Sequence, residues 1–208
     1  MEMQQEVIQP NRSVFRAAVI SDTHIPDRVD GLHPLLIDQI KALHVDMIFH
    51  CGDISIGSVL HELEQVAPVR AVTGNRDFLL TSELPVSREL LIYKKKIVIT
   101  HGHLNPKVYW TDKFTYLRHG YVFERYCKRL AMVFPDADAI LYGHTHHPEN
   151  EWRNGKLFFN PGSVSRGDIY DKSTNYGLLI INEDGRIESS IIPLTGAMIL
   201  NKKWMIAG

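Results

Sequence analysis

Three histidines fall within four positions in Tyr142-Gly143-His144-Thr145-His146-His147, directly after the apolar run Ala139-Ile140-Leu141. Four other short polar motifs also follow apolar runs: Ser21-Asp22-Thr23-His24 after "AAVI", Gly52-Asp53 after "MIFHC", Gly74-Asn75 after "VRAVT" and His101-Gly102-His103 after "KIVIT". Together they offer two carboxylates (Asp22, Asp53), one amide oxygen (Asn75) and four imidazoles (His24, His101, His144, His146). That donor set exceeds one tetrahedral zinc site and suits two hard-to-borderline divalent cations sharing a bridge. Asp53 is the natural bridging ligand, because a carboxylate can give one oxygen to each ion. Two cations roughly 3.5–4 Å apart trap a water between them, lower its pKa toward neutrality and clamp a phosphoryl group for in-line attack. No serine or cysteine nucleophile is then needed.

Residues scattered over more than a hundred positions must be brought together by the elements that precede them. "FRAAVI" (15–20), "DMIFHC" (46–51) and "VRAVT" (69–73) read as buried strands. Between them, 32–43 and 58–67 carry apolar residues at helical spacing. This alternation predicts a parallel α/β core, and ligands bind such sheets beyond the strands' carboxyl ends. The second half reads differently. Residues 88–100 predict two strands around a basic turn, 152–160 a hairpin turning at Asn154-Gly155, and 177–194 another turning at Asp184-Gly185. Two sheets packed face to face, with helices outside, accommodate both halves. Residues 107–134 are helix-compatible, with an interruption near Gly120. The domain plan is a flexible leader at 1–14, one domain over 15–194 and a tail at 195–208 with no clear period.

Lys plus Arg number 23 against 24 for Asp plus Glu, a net charge of −1, so nothing draws the chain generally to nucleic acid or an anionic membrane. No apolar run reaches the length of a membrane span. Two distant cysteines, Cys51 and Cys127, argue against a disulfide scaffold and fit a reducing cytoplasm.

The motifs Asp22-Thr23-His24, Gly52-Asp53, Gly74-Asn75-Arg76-Asp77, His101-Gly102-His103 and Gly143-His144-Thr145-His146 resemble, in order, the five blocks of the calcineurin-like metallophosphoesterase superfamily. The short chain and "NPGSVSRG" (160–167) resemble more narrowly its small single-domain YfcE-type phosphodiesterases, whose eukaryotic relative is the retromer scaffold subunit Vps29. The resemblance implies a four-layer α/β/β/α sandwich of two mixed sheets flanked by helices. It implies one metal on Asp22, His24, Asp53 and His146, and another on Asp53, Asn75, His101 and His144. The implied ions are divalent, manganese first, with iron, nickel or zinc as alternatives. The implied activity is that of a phosphoesterase, first a phosphodiesterase, on a small substrate. A non-catalytic scaffold of the same fold and a phosphomonoesterase of small metabolites are the alternatives.

Two features depart from the family pattern. Arg76 stands where the superfamily commonly has histidine. An arginine stays protonated and is no ordinary general acid, but it can grip two phosphate oxygens. Protonation of the leaving group is then left to water or to His103, unless that group is already good. The stretch between His103 and Gly143 is longer than usual and rich in aromatic and basic residues. It reads as a substrate wall, a contact between copies of the chain, or extra helix on the core. Among the remaining candidates, His33, His44, His61, His119 and His147 read as structural or exposed, and His50 as buried beside the site. Asp77 reads as a turn cap or a partner to a ligand. Cys51 reads as a small apolar residue, and Asn160 and Ser163 as either a tight turn or supports for a ligand histidine.

Overall fold

The computed structural model describes residues 3–77, 80, 84–167 and 173–206. One sheet joins β2 (Val14–Ile20), β3 (Met47–His50) and β4 (Val69–Ala71) in parallel, with β10 (Thr174–Asn182) and β11 (Ile187–Leu194) antiparallel on the β2 side. The second sheet has the order β1-β5-β6-β7-β9-β8, from Met3–Ile8, Ser87–Ile92, Lys95–Thr100, Ala139–Leu141, Lys156–Asn160 and Glu149–Arg153. The three expected hairpins form at the expected turns, as β5–β6, β8–β9 and β10–β11. In both turns read from Gly dipeptides, the glycine sits at positive φ: Gly155 at 75° and Gly185 at 85°.

The two-residue period of a strand explains the layers. Phe15, Ala17 and Val19 of β2 face Ile97, Ile99, Leu141 and Phe159 of the other sheet in a shared core. Ala18 and Ile20 point the opposite way, onto Leu36 and Ile40 of α1 (Leu36–Ala42) and Val59 and Leu63 of α2 (Ser58–Glu64). On the outer face of the second sheet, Val98, Ile140 and Phe158 meet Leu130 and Phe134 at α4 (Phe123–Val133). Covering β2 on both faces is what makes it a continuous apolar run rather than an alternating one. The result is the α/β/β/α sandwich of two mixed sheets.

Residues 107–134 form two helices, α3 (Pro106–His119) and α4, broken at Gly120 with φ 71°. The buried Asp112 of α3 binds Arg129 at 2.7 Å and Arg125 at 3.3 Å, which ties the helices together. Trp110, Phe114 and Leu117 of α3 stay exposed.

Both ends of the chain carry strands. Residues 3–8 are no frayed leader. They form edge strand β1, parallel to β5, and Glu6 takes a two-pronged ion pair from Arg70 of the other sheet at 2.6 Å per bond. The tail forms a hairpin of β12 (Ala197–Leu200) and β13 (Lys203–Ile206). Its Trp204 indole donates to Gly31 O at 2.8 Å and packs edge-on against His33. Residues 1–2 of the leader and 207–208 of the tail lie outside the described residues. Helix α1 begins four residues later than the periodicity predicts, because 33–36 close a turn in which Leu36 N donates to His33 O.

Candidate metal centre

The loops after β2, β3, β4, β6 and β7 meet at one edge of the sandwich. They are stitched to one another by backbone bonds: Asp22 N donates to Gly52 O and His24 N to Asp53 O, each at 3.0 Å. Asp77 closes the next pair, since its carboxylate accepts from Ile54 N, Ser55 N and Gly74 N at 2.7 Å each. The turn-cap reading of Asp77 is the one the geometry bears out. Two glycines are needed for the closeness of these loops. A Cβ on Gly74 would overlap Asp53 N and Oδ1, and one on Gly143 would overlap Ser21 Oγ.

Five of the seven expected ligands hold left-handed backbone: Asp22 (φ 56°), His24 (50°), Asp53 (56°), His144 (73°) and His146 (60°). Each such non-glycine residue costs about 1–3 kcal/mol, and such strain concentrates at functional sites. Hydrogen bonds from elsewhere hold it. Ser163 Oγ and Ser165 Oγ both donate to Asp22 O, at 2.9 and 2.8 Å. Asn160 Nδ2 donates to Gly143 O at 3.1 Å and Thr145 Oγ1 at 2.9 Å, fixing the loop that carries His144 and His146. The "NPGS" segment therefore both turns the chain and supports a ligand loop.

The seven side chains converge. Asp22 Oδ1 lies 3.2 Å from His146 Nε2 and 3.5 Å from His24 Nε2, and these two nitrogens are 3.3 Å apart. Asn75 Oδ1 lies 3.1 Å from His101 Nε2 and 2.9 Å from His144 Nδ1. Asp53 stands between the groups, with Oδ2 3.6 Å from His24 Nε2 and Oδ1 3.5 Å from His101 Nε2.

The proton inventory decides what this cluster wants. His101 Nδ1 donates to Cys51 O and His146 Nδ1 to Arg166 O, each at 2.7 Å, so in the neutral rings both Nε2 atoms are bare lone pairs. Those lone pairs face carboxylate and amide oxygens, which are acceptors too. Among the described residues Asp22 Oδ1 is buried without a hydrogen-bond partner, while Oδ2 accepts from Ser21 Oγ and His144 N. Acceptors packed against acceptors at 3–3.6 Å are stable only around positive charge. The titration follows the same field. Burial alone would lower His101, but the Asp53 carboxylate outweighs it and holds the ring at about 9. Burial opposes the charge of Asp53 and Asp22, yet the neighbouring imidazoles hold both below the usual carboxylate range. His144, buried and beside His101, is pushed down to about 3. A centre that favours a proton so strongly favours a metal cation for the same reason, and the donor set fits one.

A cavity of about 480 Å³ opens beside His144 and His146. Arg76 lines it, and Asp27 holds its guanidinium at 3.2 Å. Arg166, from the quoted "NPGSVSRG" segment, also lines it, as does Arg28, which lies on a loop with no motif or period. Arg28 Nη1 reaches within 3.3 Å of His146 Nδ1. The far wall comes from α3, α4 and the link between them, through Tyr109, Tyr116, Tyr121 and Tyr126. Helix α3 thus lines the cavity, and α4 both lines it through Tyr126 and packs Leu130 on the second sheet. His103 is outside the lining. Its ring stands 5.4 Å from that of His101 and 6.1 Å from that of His144, and burial pushes it down to about 4. His50 is buried behind the ligands, accepting from Gly52 N at 3.1 Å with Nε2 3.3 Å from Thr23 Oγ1. His147 stacks on Tyr121 with centroids 4.0 Å apart.

A family model described as a calcineurin-like phosphoesterase superfamily domain matches residues 15–184. A Methanothermobacter thermautotrophicus protein named "Probable metallophosphoesterase" is 32% identical over 181 residues, which are 87% of this chain and 93% of that one. The phosphodiesterase YfcE of Escherichia coli is 32% identical over 114 residues, about half of each chain. Among solved structures, a Thermotoga maritima protein covers 86% of this chain and 99% of its own at 28% identity and TM-score 0.59. Vps29 of Entamoeba histolytica with zinc covers 86% and 99% at 21% identity and TM-score 0.62, a likeness of fold. The chain belongs to the calcineurin-like phosphoesterase superfamily.

Proposed function

We propose that the chain is a cytoplasmic hydrolase of small phosphodiesters that works with two divalent cations, manganese first among them. One observation carries this reading: acceptor atoms converge in two groups, with one oxygen of Asp53 turned to each. Asp22, His24, Asp53 and His146 would hold one ion, and Asp53, Asn75, His101 and His144 the other. Such a pair supplies, when bound, a water activated at neutral pH and an electrophilic clamp on phosphoryl oxygens.

The chain's own residues do the rest. The Arg76 guanidinium can hold two non-bridging phosphate oxygens and stabilise charge as it develops there. Arg28 and Arg166 extend the same field along the cavity. The tyrosine wall keeps bulk water from one side and offers flat surfaces to the alcohol part of the substrate. His103, off the lining, acts as a positioning residue behind His101 and His144, so leaving-group protonation falls to water. A cavity of this size exceeds what inorganic phosphate fills and has room for a second alcohol, which favours diesters over monoesters.

Metal-free protein, reloaded with each candidate ion and offered aryl diesters, aryl monoesters and cyclic nucleotides, tests the reading. Diester turnover fastest with manganese supports it. Tight metal binding without turnover of any ester would transfer the case to a non-catalytic scaffold.

A further inference from the structure

Resting on the metal-dependent hydrolase reading, we propose that the natural substrate is a dinucleotide-type pyrophosphate diester. The bond broken is then the P–O–P anhydride, and the leaving group is a phosphate monoester rather than an alcohol. Three observations point the same way.

The first is charge. Among the described residues, Arg28, Arg76, Lys113 and Arg166 line the cavity with one carboxylate, Asp112; Arg129 and Arg125 engage that carboxylate, and Asp27 pairs with Arg76. Among the described residues no carboxylate lies within salt-bridge distance of Arg28, although its side chain is half-buried. Its polar contacts are the two ring nitrogens of His146, at 3.3 and 3.4 Å. One of those donates to Arg166 O, and the other is a lone pair that also faces Asp22, so the guanidinium has a single, shared acceptor. An ordinary diester brings one negative charge to this lining. A pyrophosphate diester brings two, in the forked geometry that guanidinium groups match.

The second is acidity. An alkoxide is a poor leaving group and needs a donor within hydrogen-bond reach whose pKa lies near the working pH. Among the side chains that line the cavity, the arginines stay protonated, and the imidazoles are those of the expected ligands His144 and His146. The phenols are weak acids to begin with, and burial raises Tyr126 to about 12. A departing phosphate needs no such donor. It leaves as an anion, and fixed positive charge is what stabilises it.

The third is the wall. Tyr109 and Tyr116 stand one face of α3 along the cavity, a surface suited to a nucleobase.

The step balances without another reactant. The oxygen of water bonds to phosphorus while the bond from phosphorus to the bridging oxygen breaks, and that electron pair leaves on the departing phosphate. The products are two phosphate monoesters. Both protons of the water pass to solvent above the second pKa of those monoesters.

The test uses manganese-loaded protein and three esters of one nucleoside: a symmetrical dinucleoside diphosphate, a dinucleoside monophosphate and a p-nitrophenyl ester. The diphosphate is expected to exceed the dinucleoside monophosphate in kcat/KM by at least 100-fold. Arg28→Gln should lower kcat/KM for the diphosphate at least tenfold more than for the aryl ester. By calorimetry it should weaken a methylene-bridged diphosphate analogue at least tenfold, with an unaltered unfolding curve. Turnover of the dinucleoside monophosphate within threefold of the diphosphate overturns the proposal. So does analogue binding no tighter than that of a nucleoside monophosphate. Brisk cleavage of the aryl ester alone overturns it while leaving the hydrolase reading intact; failure on all three esters overturns both.

Discussion

Asp53→Asn removes the one side chain whose two oxygens face both halves of the donor set, 3.6 Å from His24 on one side and 3.5 Å from His101 on the other. The variant keeps the shape and loses the charge that a shared ligand must carry. Free ion at 100 times its Kd stabilises a folded protein by about 2.7 kcal/mol per site. In a chain of this size each kcal/mol moves Tm by about 2–4 °C. Loading the wild-type protein should therefore raise Tm by about 5–11 °C for one site and about 11–22 °C for two. Asp53→Asn should forfeit nearly all of that rise. Asn75→Ala and His146→Ala, each touching one half, should forfeit about half of it. Scanning calorimetry of stripped and reloaded protein reads the shift, and elemental analysis reads the ions per chain. An Asp53→Asn protein that keeps one ion and half the rise refutes the shared carboxylate, as would a wild-type chain that saturates at one ion.

Arg76→Ala should lower turnover of a diester about 10–100-fold, the scale of one charge-assisted donor at a reacting phosphate, with metal content unchanged; unaltered kcat and KM would remove Arg76 from the site. Gly74→Ala must displace Asp53, because the new methyl meets its backbone as well as its carboxylate. A loss of about 1–3 kcal/mol in urea unfolding, together with weaker metal retention, is expected. Glu6→Gln tests the tie between the sheets. Its hydrogen bond from Arg70 holds Glu6 below the ordinary carboxylate range, so that stabilisation is full above the unfolded pKa near 4.5 and disappears as pH falls through the folded value. Both side chains are about 30% exposed, so the cost is about 0.5–1 kcal/mol at pH 7 and shrinks as pH falls through the folded value, read from paired denaturation curves. Trp204→Phe removes the bond to Gly31 and should cost about 1 kcal/mol. Faster amide exchange at Asp30, whose N–H is held by Lys202 O, should accompany it, and unchanged protection there would uncouple the hairpin from the loop of Arg28.

What was legible along the chain was whatever left a local mark. Each ligand follows a buried strand whose two covered faces enforce a run such as Ala17–Ile20, and a glycine beside it marks where loops must nearly touch, as Gly74 does at Asp53. The two edge strands of the tail and β1 left little mark. "MQQEVI" buries almost nothing and gains its place from backbone pairing with β5 and from one ion pair, neither of which patterns a sequence. Arg28, and the role of Ser165 within the quoted "NPGSVSRG" segment, stayed hidden for a related reason. Their meaning lies in what a distant loop presents to them, His146 in one case and the carbonyl of Asp22 in the other. The left-handed backbone of five ligands is likewise invisible in residue type, since aspartate and histidine tolerate it without requiring it. That strain and the packed acceptors share one consequence. Both raise the energy of the metal-free fold at the same few residues, and the stitching by Asp77, Asn160, Ser163 and Ser165 is what lets the chain hold the geometry before any cation arrives. A site held that way loses little ordering entropy on binding, so substitutions in the stitching should weaken metal affinity while every ligand remains in place.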